Sequence, residues 1–283
     1  MKIYAFSDEA AVSLDGQIAA MKRNGLDGME IRGVDGENVS AISSRKAAEI
    51  LQRLKDCGLS VWSVGSPIGK INLKGDSFEE HLDLFRHTLE IARTLECENL
   101  RMFSFYLPEG VQPEDCRGEV IDRLGRMAEI AEGSGVALCH ENEKGIYGDI
   151  ASRCVEILDA VPALRCIFDP ANFIQCGQDI PEAWALLSGR VYYMHIKDAL
   201  KDGTVVPAGQ GTGHLPELLR DYIAGGGKAV TIEPHLRVFE GFAALEKEGA
   251  KMPENAWPSS DAAFDAACAA LRKELDHAVS AKR

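Results

Sequence analysis

The second half of the chain contains four short apolar runs that each end in an acid or a histidine: VALCHE (136–141), RCIFD (165–169), VYYMH (191–195) and AVTIE (229–233). Each run has the length and residue content of a β-strand, and each is followed by a helical pattern. Parallel strands in successive βα units bring their carboxyl ends to one face of a domain. The sequence therefore predicts that the four terminal side chains lie together. They are Glu141, Asp169, His195 and Glu233.

The first half of the chain repeats the same alternation of strand and helix. Its four apolar runs are KIYAF (2–6), GMEIR (28–32), LSVWSV (59–64) and NLRMF (99–103). The helical patterns after the eight runs lie near residues 14–24, 41–57, 78–95, 114–133, 150–160, 180–188, 215–224 and 260–278. Eight strand–helix units predict a (β/α)8 TIM barrel, and 283 residues suit one barrel domain, which typically has about 250 residues. The long connection 236–258, before the last helix, is interpreted as a lid, an interface element or a decorated loop.

Composition and charge narrow the class of partner. The chain is 46% hydrophobic and 27% charged, which is typical of a soluble globular protein. No apolar run reaches the length of about 20 residues that a membrane span needs. A net charge of −13 disfavours nucleic acids and acidic membranes. We therefore expect a small-molecule partner and no nucleic acid or membrane, and the oligomeric state stays open, a homo-oligomer included.

The cysteines indicate the cellular compartment. There are eight of them, none forms a CxxC pair, and the N-terminus does not resemble a signal peptide. Reduced thiols in a cytoplasmic enzyme are the simplest interpretation.

The chemistry of the four converging residues predicts a metal site. Two glutamates, one aspartate and one neutral imidazole form a hard, oxygen-rich set of ligands with a charge near −3. Such a set suits one divalent ion, which we expect to be Mn²⁺, Co²⁺, Mg²⁺ or Zn²⁺.

Several motifs resemble the xylose isomerase-like sugar phosphate isomerase/epimerase superfamily, in particular a subgroup without an assigned substrate. The motifs extend over nearly the whole chain: EIRGVDGENV (30–39), SPIGKI (66–71), RMFSFYLPEG (101–110), HENEKGIYGD (140–149), FDPANF (168–173), HIKDA (195–199), VPAGQGTG (206–213) and TIEPH (231–235). The resemblance implies a xylose isomerase-like barrel in which Glu141, Asp169, His195 and Glu233 hold one divalent metal. It also implies that Glu141 and Glu233 act as acid and base.

The reaction that this resemblance implies is a proton transfer on a carbohydrate. A metal that binds the carbonyl and hydroxyl oxygens of a ketose stabilises the enediolate formed when a carbon-bound proton leaves. Return of the proton gives an isomerase or an epimerase of a sugar, a sugar phosphate or a keto-sugar. The alternative is a lyase or dehydratase acting on a keto-sugar, a keto-inositol or a 3-keto-glycoside, because the same enediolate can expel a β-leaving group.

Seven further residues are candidate substrate contacts because they lie at or near predicted strand ends. They are Arg32, Lys70, Arg101, Asn172, Lys197, Asp198 and His235. Arginine and lysine there would orient hydroxyl, carboxylate or phosphate groups, or else form ion pairs around an acidic metal site. Many epimerases of the superfamily carry a substrate-binding histidine at the position of Asn172, and this chain departs from that pattern. Asn172 is equally well interpreted as a turn residue.

The glycine-rich stretch AGQGTGH (208–214) precedes a predicted helix. Its amides would bind an anion at the helix N-terminus, or it is simply a tight loop over the barrel mouth.

Two other functions are compatible with the same fold. The superfamily includes AP endonucleases, but these need more metal ligands and a basic groove, whereas this chain is acidic and has seven histidines. A non-catalytic sugar-binding or partner subunit is the second, and failure to bind Mn²⁺ or Zn²⁺ with an intact fold would favour it.

Overall fold

Eight parallel strands form a closed barrel in this computed structural model, which describes residues 1–238 and 257–280. The strands are β1 (Lys2–Ala5), β2 (Gly28–Ile31), β3 (Ser60–Val64), β4 (Asn99–Met102), β5 (Ala137–Glu141), β6 (Arg165–Phe168), β7 (Val191–Ile196) and β8 (Ala229–Ile232). Each of the eight apolar runs in the sequence therefore forms a strand, and the predicted (β/α)8 TIM barrel is confirmed.

The strands follow one another around the barrel in chain order, and β8 pairs with β1 to close it. This order brings β5, β6, β7 and β8 side by side, so their carboxyl ends form one continuous arc of the barrel mouth. Strand β2 has a shift in register relative to β3 between Met29 and Glu30. Such irregularities redirect the side chains of a strand locally.

The helices pack outside the barrel close to their predicted positions. They are α1 (Leu14–Arg23), α2 (Ser44–Asp56), α3 (Phe78–Thr94), α4 (Pro113–Ala131), α5 (Ala151–Ala160), α6 (Pro170–Gln175), α7 (Ile180–Leu187), α8 (Leu215–Ala224) and α9 (Ser260–Ser280). Serine side chains cap α1, α2 and α3 by accepting a hydrogen bond from a first-turn amide. Helix α6 is the one α-helix among the described residues that the sequence did not predict.

Helix α6 has a local cause. Asp169 accepts a hydrogen bond from the amide of Asn172 and so caps the helix, while Pro170 occupies its first turn. The FDPANF motif is thus a strand end followed immediately by a short helix, not a turn. This helix places Asn172 above the end of β5.

The hydrophobic core has two parts. The larger lies between the barrel and its surrounding helices. The smaller lies inside the barrel, where Cys139, Ile167 and Tyr193 are buried and Trp62 and Tyr192 pack against them. This inner cluster closes the barrel below the residues at its mouth.

Two-stranded ribbons decorate the mouth, one formed by 33–34 with 37–38 and the other by 198–199 with 205–206. The predicted long connection 236–258 falls largely outside the described residues, which stop at 238 and resume at 257. Among the described helices, none has both the length and the apolar character that crossing a membrane requires.

Candidate active site

Four side chains converge at the carboxyl ends of β5 to β8. Glu141 is the last residue of β5, His195 is the penultimate residue of β7, and Asp169 and Glu233 directly follow β6 and β8. All four are buried, and one potential ligand atom from each lies within 4.8 Å of the others. The structure therefore brings together the set that the sequence predicted.

The two ring nitrogens of His195 point toward different groups. Its Nδ1 atom points toward the acids, at 2.9 Å from Glu141 Oε1, 3.6 Å from Glu233 Oε2 and 3.9 Å from Asp169 Oδ2. Its Nε2 atom points away from them, at 3.1 Å from Oε2 of Glu30. The nitrogen available to a metal shared with the acids is therefore Nδ1.

Three buried cations neutralise the acids. Lys197 Nζ lies 3.0 Å from Asp169 Oδ2 and 2.9 Å from Glu233 Oε2. Arg101 Nη1 lies 3.2 Å from Glu141 Oε2, and Arg32 Nη1 lies 3.3 Å from Glu233 Oε1. Such compensation is required because an unpaired buried carboxylate is strongly destabilised by loss of hydration.

The same charges set the protonation of the site. Burial alone would lower the pKa of His195, but Glu141 and Glu30 raise the pKa to about 10. Burial would raise the pKa of Glu233, but Lys197, His235 and His195 hold the pKa well below its ordinary range. Burial raises the pKa of Asp169, against the opposing effect of Lys197. Without a metal, His195 therefore carries a proton that a metal ion has to displace.

The available oxygens fit a divalent cation. Glu141 Oε2 and Asp169 Oδ2 are buried and accept no hydrogen bond of acceptable geometry, although each has a cationic neighbour. Oxygens without a hydrogen-bond partner are free to coordinate a metal ion. Three carboxylates and an imidazole suit hard and borderline divalent ions. Glu141, Asp169, His195 and Glu233 are the residues that could hold one.

Arg32 and Arg101 lie at the site, and most of their contacts are with residues outside the four converging side chains. Arg32 donates to both oxygens of Asp8, at 2.9 and 3.0 Å, and to Glu9 Oε1 at 3.0 Å. Arg101 Nη2 donates to the carbonyl of Gly65 at 3.2 Å, and its guanidinium lies over the ring of Phe6. These contacts orient the two guanidinium groups around the acids.

Lys70 and His235 also reach the mouth. Lys70 Nζ lies 3.1 Å from Glu143 Oε2 and packs over the ring of Phe103. His235 has a left-handed backbone, with φ of 43°, and its amide donates to Glu9 Oε2 at 2.6 Å. This conformation is uncommon for a non-glycine residue, although Asp35, Glu96, Phe105 and His214 also adopt it.

Asn172 directly contacts Glu141, one of the four residues that could hold a metal ion. Its Nδ2 donates to Glu141 Oε1 at 3.3 Å and to the carbonyl of Asn142 at 2.9 Å. The side chain therefore joins α6 to the end of β5, and it does not bond its own local backbone as a turn residue would.

Asp198 has a different position from the one expected of a substrate contact. Its Oδ2 accepts from the amides of Gly209 and Gly211, and its Oδ1 from those of Gly213 and Ala199, all at 2.9 Å. Both oxygens are thus occupied, which leaves little capacity for a substrate hydroxyl. The anion that the glycine-rich loop binds is the chain's own Asp198.

Sequence reasoning missed two buried acids, Glu9 and Glu30. Glu9 lies just after β1 beside Arg32, and burial, opposed by Arg32, raises its pKa to about 8. The residues SDE after KIYAF provided the same strand-end signal as the later strands. Glu30 lies within β2 between Met29 and Ile31, and only an acid among buried residues could have marked it.

His140 behaves as its position in the strand predicts. It precedes Glu141, points away from the acids and lies 3.0 Å from Ser104 Oγ. Burial lowers its pKa to about 3, so it is neutral.

All eight cysteines are free thiols, and burial raises the pKa of Cys176 to about 12, which argues against a nucleophile there.

Comparison with known families identifies the chain. Residues 18–234 match the family described as the xylose isomerase-like TIM barrel. The chain belongs to this family. The assignment agrees with the closed barrel and with the resemblance found in the sequence motifs.

Several solved structures of other proteins share the xylose isomerase-like barrel of this chain over almost their whole length. An L-ribulose 3-epimerase has a TM-score of 0.77 at 18% identity, over 100% of this chain and 97% of its own. The IOLI protein with a zinc atom has a TM-score of 0.73 at 17% identity, over 98% of both chains. The probable 3-DHS dehydratase AsbF from Bacillus anthracis has a TM-score of 0.72 at 17% identity, over 96% of this chain and 99% of its own. No curated protein matches the sequence. At these identities the likeness establishes the fold alone.

Proposed function

We propose that this protein is a divalent-metal-dependent isomerase or epimerase of a sugar, a sugar phosphate or a keto-sugar. The observation that carries the proposal is the convergence of Glu141, Asp169, His195 and Glu233 within 4.8 Å. The fold is shared with an L-ribulose 3-epimerase, a D-psicose 3-epimerase and a probable 3-DHS dehydratase. The IOLI protein, which also has this fold, holds zinc.

The metal, when bound, would supply Lewis-acid stabilisation of the charge that develops on the substrate oxygens, which is worth several kcal/mol. Glu141, Asp169, His195 and Glu233 would hold it. The sequence and the structure are compatible with Mn²⁺, Co²⁺, Mg²⁺ or Zn²⁺.

Glu233 is well placed to remove a carbon-bound proton. Lys197 and Arg32 keep its carboxylate ionised, and an ionised carboxylate can accept a proton. Glu141 comes from β5, three strands away in the barrel order, and in its protonated form would donate its own proton to the carbon, while Glu233 keeps the proton that it removed. Acids on two sides of a bound sugar would invert a carbon, whereas one acid serving two adjacent carbons would isomerise.

The other predicted substrate contacts differ in how close they lie to the acids. Arg32, Arg101 and Lys197 lie within 3.3 Å of the acids and would orient substrate oxygens from there. Lys70, Asn172 and His235 lie at the edge of the same cluster. We assign Asp198 to the glycine-rich loop instead of the substrate.

A lyase or dehydratase is the second candidate. The same deprotonated substrate can lose a leaving group, and AsbF, which has this fold, is described as a probable dehydratase. The candidate substrates are a keto-sugar, a keto-inositol or a 3-keto-glycoside.

One experiment tests both candidates. Metal-loaded protein is incubated in deuterated water with a panel of ketoses, ketose phosphates, keto-inositols and 3-keto-glycosides. Deuterium at one carbon of an otherwise intact product supports an isomerase or epimerase, and an unsaturated product supports the lyase. Absence of exchange and of product across the panel, with metal bound, would contradict the proposed chemistry.

A further inference from the structure

Glu30 is a buried acid with no part in the proposed proton transfer. It lies in β2 with no exposed surface and faces the barrel interior, where it reaches His195 of β7. Strands β1 and β8 separate β2 from β7 in the barrel order, so this contact crosses the interior. An acid in such a position is retained only if its partners compensate for the loss of hydration.

The two oxygens of Glu30 have different partners. Oε2 lies 3.1 Å from His195 Nε2. Oε1 accepts a hydrogen bond of 3.0 Å from the hydroxyl of Tyr193, which also lies 3.1 Å from Ser63 Oγ. The carboxylate is therefore held from below by the inner cluster while its other oxygen faces the imidazole.

The imidazole can satisfy this arrangement in one neutral form only. An ionised carboxylate accepts but does not donate, so Nε2 has to carry the proton. The lone pair then lies on Nδ1, which faces Glu141, Asp169 and Glu233. Histidines that bind metals usually donate their other N–H to a carboxylate or carbonyl in this way.

We propose that Glu30 is a positioning residue that keeps the proton of His195 on Nε2 and so directs Nδ1 toward the metal-candidate acids. This inference rests on the proposed function, because it assumes that the cluster binds a divalent ion. A purely structural Glu30 would affect the stability of the barrel but would leave metal affinity unchanged.

The first test compares metal affinities. Glu30→Gln preserves the shape of the side chain, but its amide can donate to Nε2 and so favour the wrong tautomer. Removal of such a partner typically costs 10- to 100-fold in metal affinity, and we expect that loss for Zn²⁺ and Co²⁺ in competition with a chromophoric chelator. The visible spectrum of the Co²⁺ form should change as well, because the nitrogen ligand is displaced.

Thr88→Val is the matched control. Thr88 is equally buried, and its hydroxyl donates to the carbonyl of Leu84 within α3. This substitution removes a buried polar group away from the site, so its metal affinity should equal that of the wild type. Thermal unfolding of all three metal-free proteins reports the structural cost separately.

The second test needs no variant. A long-range ¹H–¹⁵N spectrum of the zinc-loaded protein, labelled with ¹⁵N-histidine, reports the tautomer of each ring. We expect His195 to carry its proton on Nε2 and zinc on Nδ1. Its signal can be assigned through contacts to the ring of Phe6, whose centroid lies 5.2 Å away.

The outcomes separate the inference from the proposed function. If the wild type binds none of the four metals, the proposed function fails and this inference with it. If the wild type binds metal and Glu30→Gln binds equally well, or if the spectrum shows zinc on Nε2, only the role of Glu30 is wrong. Loss of affinity in Glu30→Gln with Nε2 protonated in the wild type supports the inference.

Discussion

The two halves of the barrel contribute differently to the charges at its mouth. Strands β5 to β8 contribute Glu141, Asp169 and Glu233, while β2 and β4 contribute Arg32 and Arg101. Lys197, directly after β7, supports Asp169 and Glu233 from within the second half. The comparison shows that the acids come from the second half of the sequence, whereas two of their three supporting cations come from the first.

The largest expected effect follows from removing one of those supports. Arg32→Met leaves Asp8, Glu9 and Glu233 without their shared cation, and loss of one partner of a buried ion pair typically costs about 3–5 kcal/mol. Urea unfolding of the metal-free protein measures the free energy of unfolding. The control is Arg45→Met, because Arg45 and Glu49 form an exposed helical pair that is worth about 0.3–0.5 kcal/mol. Equal losses in the two variants would refute the supporting role of Arg32.

The next effect concerns the acids themselves. We expect Glu233→Gln to lower turnover at least about a hundredfold, since an amide cannot accept the proton. Metal content and turnover are measured on the same preparation. Near-normal turnover in metal-loaded Glu233→Gln would exclude Glu233 as the base.

A smaller effect is expected at an acid of the second half that no first-half cation supports. The carboxylate of Asp198 accepts four amide hydrogen bonds, and in Asp198→Asn the new amide group would face backbone donors. A buried donor left unsatisfied costs about 1–3 kcal/mol. The free energy of unfolding should fall by this amount, and amide hydrogen exchange should increase within 208–213. Unchanged exchange there would mean that Asp198 does not hold the loop.

The last effect is a dependence of metal binding on pH. Glu141 and Glu30 raise the pKa of His195 to about 10, so the metal-free ring is protonated at neutral pH. Raising the pH toward 10 removes the competing proton of His195, and apparent affinity should increase at least about tenfold per pH unit, because burial also raises the pKa of Asp169 to about 8 and its proton is displaced as well. Zn²⁺ titrations with a competing chelator between pH 6 and 8 measure this slope. A flat profile would show that His195 is neutral before metal arrives.

The same comparison explains what could be predicted from the sequence. The second-half acids end their strands, so a polar residue after each apolar run identified the strand and the site together. Glu30 was missed because it lies within a strand, where a single polar residue resembles an ordinary alternation of faces. Its meaning depends on His195, which is 165 positions away in the chain.

Two further details depended on packing that no local pattern contains. The sequence left Asn172 open between a turn residue and a substrate contact, whereas in the structure Asp169 caps the short helix α6, and Asn172 in that helix contacts Glu141. The glycine-rich loop looked like an anion site, and it is one, but only the folded chain shows that Asp198 fills it.

The position of Lys197 has a consequence for any cation that these acids bind. Its ammonium group bridges Asp169 and Glu233, at 3.0 and 2.9 Å from one oxygen of each. A divalent ion that takes both of those oxygens as ligands therefore competes directly with Lys197, and the two positive charges cannot occupy the same position.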